Sequence, residues 1–219
     1  MPMNLNYHNF TPFRTPFFLP MLYPQLIWRM NEMEKAIYLT FDDGPISGPT
    51  EFVLEELSKR NVLATFFCIG DNIQKHTPIF QNILASGHRV GNHTFNHLKG
   101  WETTTSEYEM NVKLCERQIE SNNSTKTHSL LFRPPFGRIT RKQVATLSNY
   151  KIIMWDVLTH DYSNDILPEV CLKRSLSATR HGSIVVFHDS IRAEKRLIYV
   201  LPRFLDDCLS KGYAFKIFK

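Results

Sequence analysis

At 219 residues, 42% apolar and 21% charged, the chain is long enough for one α/β domain, an α/β barrel included, and its composition excludes disordered and fibrous classes. A formal charge of +5 and a pI near 9.0 admit anionic polymers as partners. Lys and Arg are nevertheless scattered in nothing longer than pairs such as Arg141-Lys142, and no nucleic-acid motif is present, so a solvated basic surface is expected and nucleic acid is not.

Residues 1–34 read as an apolar, Pro-rich extension, and residues 35–219 as the main domain. Between Phe10 and Met30 the extension is dense in Phe, Leu and Met, but Arg14, Pro16, Pro20, Pro24 and Arg29 interrupt it. It is too short to span a bilayer, and no small-residue cleavage pattern follows, so neither a signal peptide nor a membrane span is recognised. The default expectation is a cytoplasmic or peripheral membrane protein. The segment is expected to pack as an apron over the bottom or side of the domain, with peripheral membrane contact through residues 10–30 as the alternative.

From Ala36 onward, strand-like runs alternate with helical stripes, the signature of βα units around a parallel sheet. Strands are expected at Ala36–Phe41, Ala64–Ile69, His88–Val90, Leu130–Arg133, Ile152–Trp155, Ser183–Phe187 and Ala214–Ile217. Helices are expected over Thr50–Arg60, Thr77–Ser86 with a Thr-Pro start, Ser106–Glu120, Thr140–Ser148, Pro168–Thr179 and Ala193–Lys211, the last kinked or broken at Pro202. Periodicity leaves an irregular barrel and an open doubly wound sheet equally admissible. In both, ligand groups gather at the carboxyl ends of the strands. Cys68, Cys115, Cys171 and Cys208 lack the spacing of a thiolate zinc site and read as free thiols, Cys68 and Cys115 as small buried hydrophobes.

Polar clusters follow five of these strands: Asp42-Asp43, then His93 to His97, Arg133-Pro134-Pro135-Phe136-Gly137, Asp161-Tyr162 beyond the fifth strand, and His188-Asp189. Asp42 and Asp43, adjacent at a strand end, aim differently. His93 and His97, four apart, are expected to project from one face of a helical turn, and Asp43 completes two His and one carboxylate, an open catalytic divalent site favouring zinc. His8, His76, His88, His128, His160 and His181 have no second partner motif and are assigned no role.

Together these clusters resemble the polysaccharide deacetylase family, the NodB-homology enzymes of carbohydrate esterase family 4, from about Lys35 to the C-terminus. The resemblance rests on Thr40-Phe41-Asp42-Asp43-Gly44-Pro45, the His93 to His97 set, Arg133 to Gly137 and Val186-Phe187-His188-Asp189, in the family's order. It implies a distorted (β/α) barrel of about seven parallel strands. It also implies Asp42 as general base, Asp43, His93 and His97 as ligands of a divalent metal (zinc, with cobalt or nickel as alternatives), and His188 as general acid. Arg133 would orient the base, Asp161 would hold the acid, and the Phe136 amide would donate to the oxyanion. Pro135, Phe136, Tyr162 and Val186 would contact substrate, Tyr162 standing where the family commonly has Trp and Val186 where it has Leu. Two-pronged binding of Asp42 by Arg133 suits the guanidinium fork. Trp101 and Trp155 are further stacking candidates, with core packing expected for Trp155.

The implied activity is removal of N-acetyl groups from N-acetylglucosamine-containing polysaccharide or oligosaccharide, peptidoglycan- or chitin-like. Alternatives are an O-deacetylase such as an acetylxylan esterase, or a catalytically silent carbohydrate-binding protein.

Overall fold

The computed structural model describes residues 12–31, 33–123 and 130–219. The first eleven positions of the extension, with His8 and the start of the apolar stretch, and also His128, lie outside the described residues. After the short helix α1 (Phe18–Leu22), the chain runs β1 (Ala36–Asp42), α2 (Pro49–Lys59), β2 (Thr65–Cys68), α3 (Gly70–Lys75), α4 (Thr77–Ala85) and β3 (Arg89–Asn92). It continues through α5 (Thr105–Ser121), β4 (Leu131–Phe132), α6 (Arg141–Thr146), β5 (Lys151–Ile152), β6 (Val157–Leu158), α7 (Pro168–Ala178), β7 (Ile184–His188), α8 (Glu194–Ser210) and β8 (Ala214–Phe215).

Seven strands pair in parallel in the order β5-β4-β3-β2-β1-β7-β6, and β8 pairs with the first residues of β1. The sheet curls into a half-barrel, the distorted barrel the family resemblance implied. β1 is buried along its whole length because both faces are covered, which explains its continuous rather than alternating apolar run. One face meets the stripes of α2, α7 and α8, where Val53, Leu57, Leu197, Val200, Leu201, Phe204 and Leu205 join Phe41, Phe66 and Phe187. All four cysteines are free and buried.

Three departures have local causes. β6 is a strand beyond those expected from the sequence, so Asp161 follows the sixth strand and not the fifth; two residues are too few to show a period. α8 passes through Pro202 unbroken. The helical hydrogen bond that Pro202 cannot make concerns the carbonyl of Ile198, on the exposed side of the helix, where water can serve it. α4 begins at Thr77 with no side-chain cap from His76, and the Thr77 hydroxyl of the expected Thr-Pro start donates back to the Ile73 carbonyl of α3.

The half-barrel is open between β5 and β6, and the N-terminal segment fills that seam. Ile27 bridges Ile153 in parallel, while Arg14 bridges Val157 and Arg29 bridges Ser183, both antiparallel. Phe13, Leu26 and Trp28 are buried, and the Arg14 guanidinium donates to the Ala178 carbonyl (2.6 Å) at the end of α7. Phe17, Phe18, Met21 and Leu22 remain exposed. Among the described residues, no helix is long and apolar enough to cross a membrane.

Because Trp28 packs with Leu26, Phe132, Ile152 and Met154 under the seam, Trp28→Ala is expected to lower the unfolding free energy by about 3–5 kcal/mol, read from urea denaturation. A loss under 1 kcal/mol would show that the strap is not part of the cooperative core.

Candidate active site

A parallel sheet points every strand's carboxyl end to one rim, so side chains from five strands meet there. β1 ends in Asp42, and the register pairs Asp42 with His188 of β7 on one side and Phe67 of β2 on the other. Asp43 then takes φ 83° and Gly44 begins the turn. That turn is fixed by the buried Asp189, which accepts from the Gly44 amide (3.0 Å) and the Thr50 hydroxyl (2.6 Å). A Cβ on Gly44 would lie 1.9 Å from Asp189 Oδ2, so this contact requires glycine. Burial pushes Asp189 up to about 8 despite these two donors.

Asp43 Oδ1 lies 3.2 Å from His97 Nε2 and 3.7 Å from His93 Nε2. Ligand atoms of the three residues all fall within 4.8 Å of one another, the only such group of three His, Cys, Asp or Glu side chains among the described residues. His93 and His97 do not share a helical turn. Residues 93–99 form a loop in which Thr94 (φ 63°) and His97 (φ 55°) are left-handed, and side-chain amides substitute for helical hydrogen bonds. Asn92 Oδ1 accepts from Thr94 N (2.9 Å), and Asn111 Oδ1 accepts from the amides of Phe95 (2.8 Å) and Asn96 (2.9 Å).

This donor set fits a divalent cation. His93 Nδ1 donates to the Arg133 carbonyl (2.7 Å), which fixes the tautomer that presents a bare Nε2. Burial lowers His93 to about 4, so it is a neutral imidazole at pH 7. Burial alone would raise Asp43, but the His97 hydrogen bond and the charges of His188, His93 and His97 outweigh it and hold its carboxyl well below the usual range. An ionised carboxylate with two imidazole nitrogens is a donor set that suits a borderline divalent ion.

Arg133 is fully buried and meets Asp42 through one prong rather than two. Its Nη1 donates to Asp42 Oδ1 and Thr40 Oγ1 (both 2.7 Å). Nε and Nη2 are used on the carbonyls of Ile153 (3.2 Å) and Met154 (3.0 Å), which is why the fork cannot close on the carboxylate. Across β1, His188 Nδ1 meets Asp161 Oδ1 at 2.7 Å and its backbone amide donates to Asp161 Oδ2 at 2.7 Å. Burial alone would lower His188, but the Asp161 charge and hydrogen bond, with Asp43 and Asp42 beyond, raise it to about 9.

The remaining expected contacts divide. Phe136 is exposed, left-handed (φ 59°), and 4.6 Å from the His97 ring between centroids. Tyr162 packs edge-on to His188 at 4.9 Å. Val186, one pleat below His188, is fully buried and lies beneath that ring rather than on an open groove; Pro135 is likewise buried. Trp155 is half-buried against two core clusters. The positioning residues Asn92, Asn111, Asp189 and Thr50 carry no sequence signal of that role: their partners lie 2 to 145 positions away, and only Asp189 sits in a motif.

A family model described as "Polysaccharide deacetylase" matches residues 29–155. The chain is 29% identical to a peptidoglycan-N-acetylglucosamine deacetylase of Bacillus cereus, covering 86% of this chain and 88% of that protein. It is 33% identical to the Listeria monocytogenes peptidoglycan-N-acetylglucosamine deacetylase PgdA over 83% of this chain, which spans only 37% of that longer protein. The crystal structure of the Bc1960 peptidoglycan N-acetylglucosamine deacetylase superposes with a TM-score of 0.83 at 27% identity, covering 93% of this chain and 94% of the other.

In the metal-free protein the His188 ring is expected to titrate near pH 9 by NMR, and clearly lower in Asp161→Asn, since only Asp43 and Asp42 then oppose the effect of burial. The folded-state value lies above the unfolded one, so the stability this pair contributes is complete below about pH 6.5 and is lost as pH rises through about 9. A wild-type midpoint below 7 would contradict the electrostatic reading.

Proposed function

The chain belongs to the polysaccharide deacetylase family, and on that premise we propose that it removes N-acetyl groups from N-acetylglucosamine units of a peptidoglycan- or chitin-like glycan. Zinc is the proposed metal, with Asp43, His93 and His97 as its ligands. The single observation that carries the reading is the register pairing of Asp42 with His188 on adjacent strands, with the Asp43-His93-His97 set sharing their rim.

When bound, a divalent ion supplies Lewis acidity, acidifying water and polarising the acetyl carbonyl. The protein's own groups account for the proton traffic. Asp42, held through Oδ1 by Arg133, takes the proton of the attacking water on Oδ2. The Phe136 N–H, turned by its left-handed backbone beside His97, donates to the oxyanion that develops on the carbonyl oxygen. An amine departs poorly as an anion, so an acid is required at the leaving nitrogen. His188, kept protonated by Asp161 on Nδ1, delivers its proton from Nε2. Base and acid thus stand side by side on adjacent strands, each against a buried partner of opposite charge.

Asp42→Asn is expected to retain metal by elemental analysis while kcat for acetate release falls about 10²–10⁴-fold, and His188→Ala should behave alike. His97→Ala should lose the metal. The measurement is acetate release from N-acetylated chitooligosaccharides and peptidoglycan glycan, with the added metal varied. Near wild-type turnover by Asp42→Asn would overturn the assignment of the base.

A further inference from the structure

Beside the three metal-type donors, two short loops form a wall that the proton-transfer steps do not use. Trp101 and Phe136 are 65% and 52% exposed, large for aromatics at the rim of a site. The Trp101 Nε1 donates to the Ile139 carbonyl (3.2 Å), so its polar end is satisfied within the protein and apolar ring surface is what faces outward. Each ring carries a cation. The Arg138 guanidinium lies over Trp101 at 5.3 Å, and Lys99 Nζ over Phe136 at 5.6 Å.

The wall is rigid. Gly100 N donates to the Arg138 carbonyl (3.2 Å), and Gln143 Nε2 donates to the carbonyls of Gly100 (2.8 Å) and Thr103 (3.2 Å). The loops are packed so closely that a Cβ on Gly100 would stand 2.4 Å from the Arg138 oxygen. Glu102 is the carboxylate both cations face, 3.3 Å from Lys99 Nζ and 3.9 Å from Arg138 Nη1. Two cations against one carboxylate leave a positive excess on an aromatic platform that starts 4.6 Å from a metal-type histidine.

We propose that Trp101, Phe136, Lys99 and Arg138 form a subsite that favours glycans carrying a carboxylate beside the acetylated sugar over neutral ones. The rings stack on a sugar face, and the two cations take the carboxylate in exchange for Glu102. This rests on the deacetylase reading and deepens it by naming the charge class of the substrate. Exposed ion pairs are individually weak, so selectivity arises from both cations acting on a sugar already held by stacking.

The test uses two peptide-free probes: penta-N-acetylchitopentaose, which is neutral, and glycan strands alternating N-acetylglucosamine with carboxylate-bearing N-acetylmuramic acid. Acetate release gives kcat and KM, and intrinsic fluorescence gives binding independent of turnover. Trp101→Ala is expected to raise KM about fivefold on both probes with little change in kcat, and to abolish the fluorescence change on binding. Arg138→Gln and Lys99→Gln should each raise KM for the carboxylate-bearing strand about threefold more than for the neutral one, and 0.5 M salt should shrink the wild-type preference. Glu102→Gln should move the preference the other way, lowering KM for the charged strand.

Equal effects of these charge variants on both probes, or no change in the fluorescence signal with Trp101→Ala, would overturn the subsite. Trp101-dependent binding that prefers the charged strand, with no acetate released from either probe, would support the subsite while overturning the deacetylase reading.

Discussion

The buried pairing of Arg133 with Asp42 is the constraint on which the rest of the site depends. Arg133 carries its guanidinium into the interior with no exposed surface and lies 4.1 Å over the Phe67 ring. Burial lowers its proton affinity while Asp42 opposes that change. Such a pair adds little net stability, because desolvating both charges offsets most of their attraction, whereas removing either partner strands a buried charge. Its worth is in position. The same residue's carbonyl accepts the His93 Nδ1 proton, so Arg133 orders the carboxylate through its side chain and a metal-type ligand through its backbone.

The N-terminal strap enters this arrangement through the sheet's open seam. Ile27 accepts from Met154 N (2.7 Å) and donates to the Ile152 carbonyl (2.9 Å), and the next carbonyls along that link, Ile153 and Met154, receive Arg133. A segment remote from the rim thereby stands three hydrogen bonds from Asp42, through Met154 and Arg133. The half-barrel leaves these carbonyls without strand partners, and the guanidinium satisfies them, as buried backbone acceptors require.

Four carboxylates at one rim have different surroundings. Asp43 faces histidines and stays ionised, Asp161 faces His188 and raises it, Asp42 faces a guanidinium, and Asp189, bonded by a hydroxyl and an amide, is pushed up chiefly by burial. Distinct electrostatic surroundings in one small volume are what paired acid and base chemistry needs. Flanking them, the aromatic and cationic wall from Lys99 to Arg138 supplies the surface on which a polymer would be recognised.

Much of this was legible in the residues themselves. The alternation of apolar runs and amphipathic stripes determined a parallel α/β sheet, and parallel strands oblige their carboxyl ends, hence Asp42, His93, Arg133 and His188, to share a rim. Motif order carried the family. Other features required the folded chain: the two-residue strand β6 is too short to show a period, and the convergence of His93 and His97 comes from Asn92 and Asn111 holding a loop, not from helical spacing. The single-pronged grip of Arg133 depends on carbonyls twenty residues downstream, and the burial of Val186 on its place below His188. The sequence by itself determined which chemistries the chain carries, because composition and period are local properties. Only the tertiary structure decided how those groups are aimed and protonated, because distance, burial and hydrogen-bond partners are set by residues far apart in the chain.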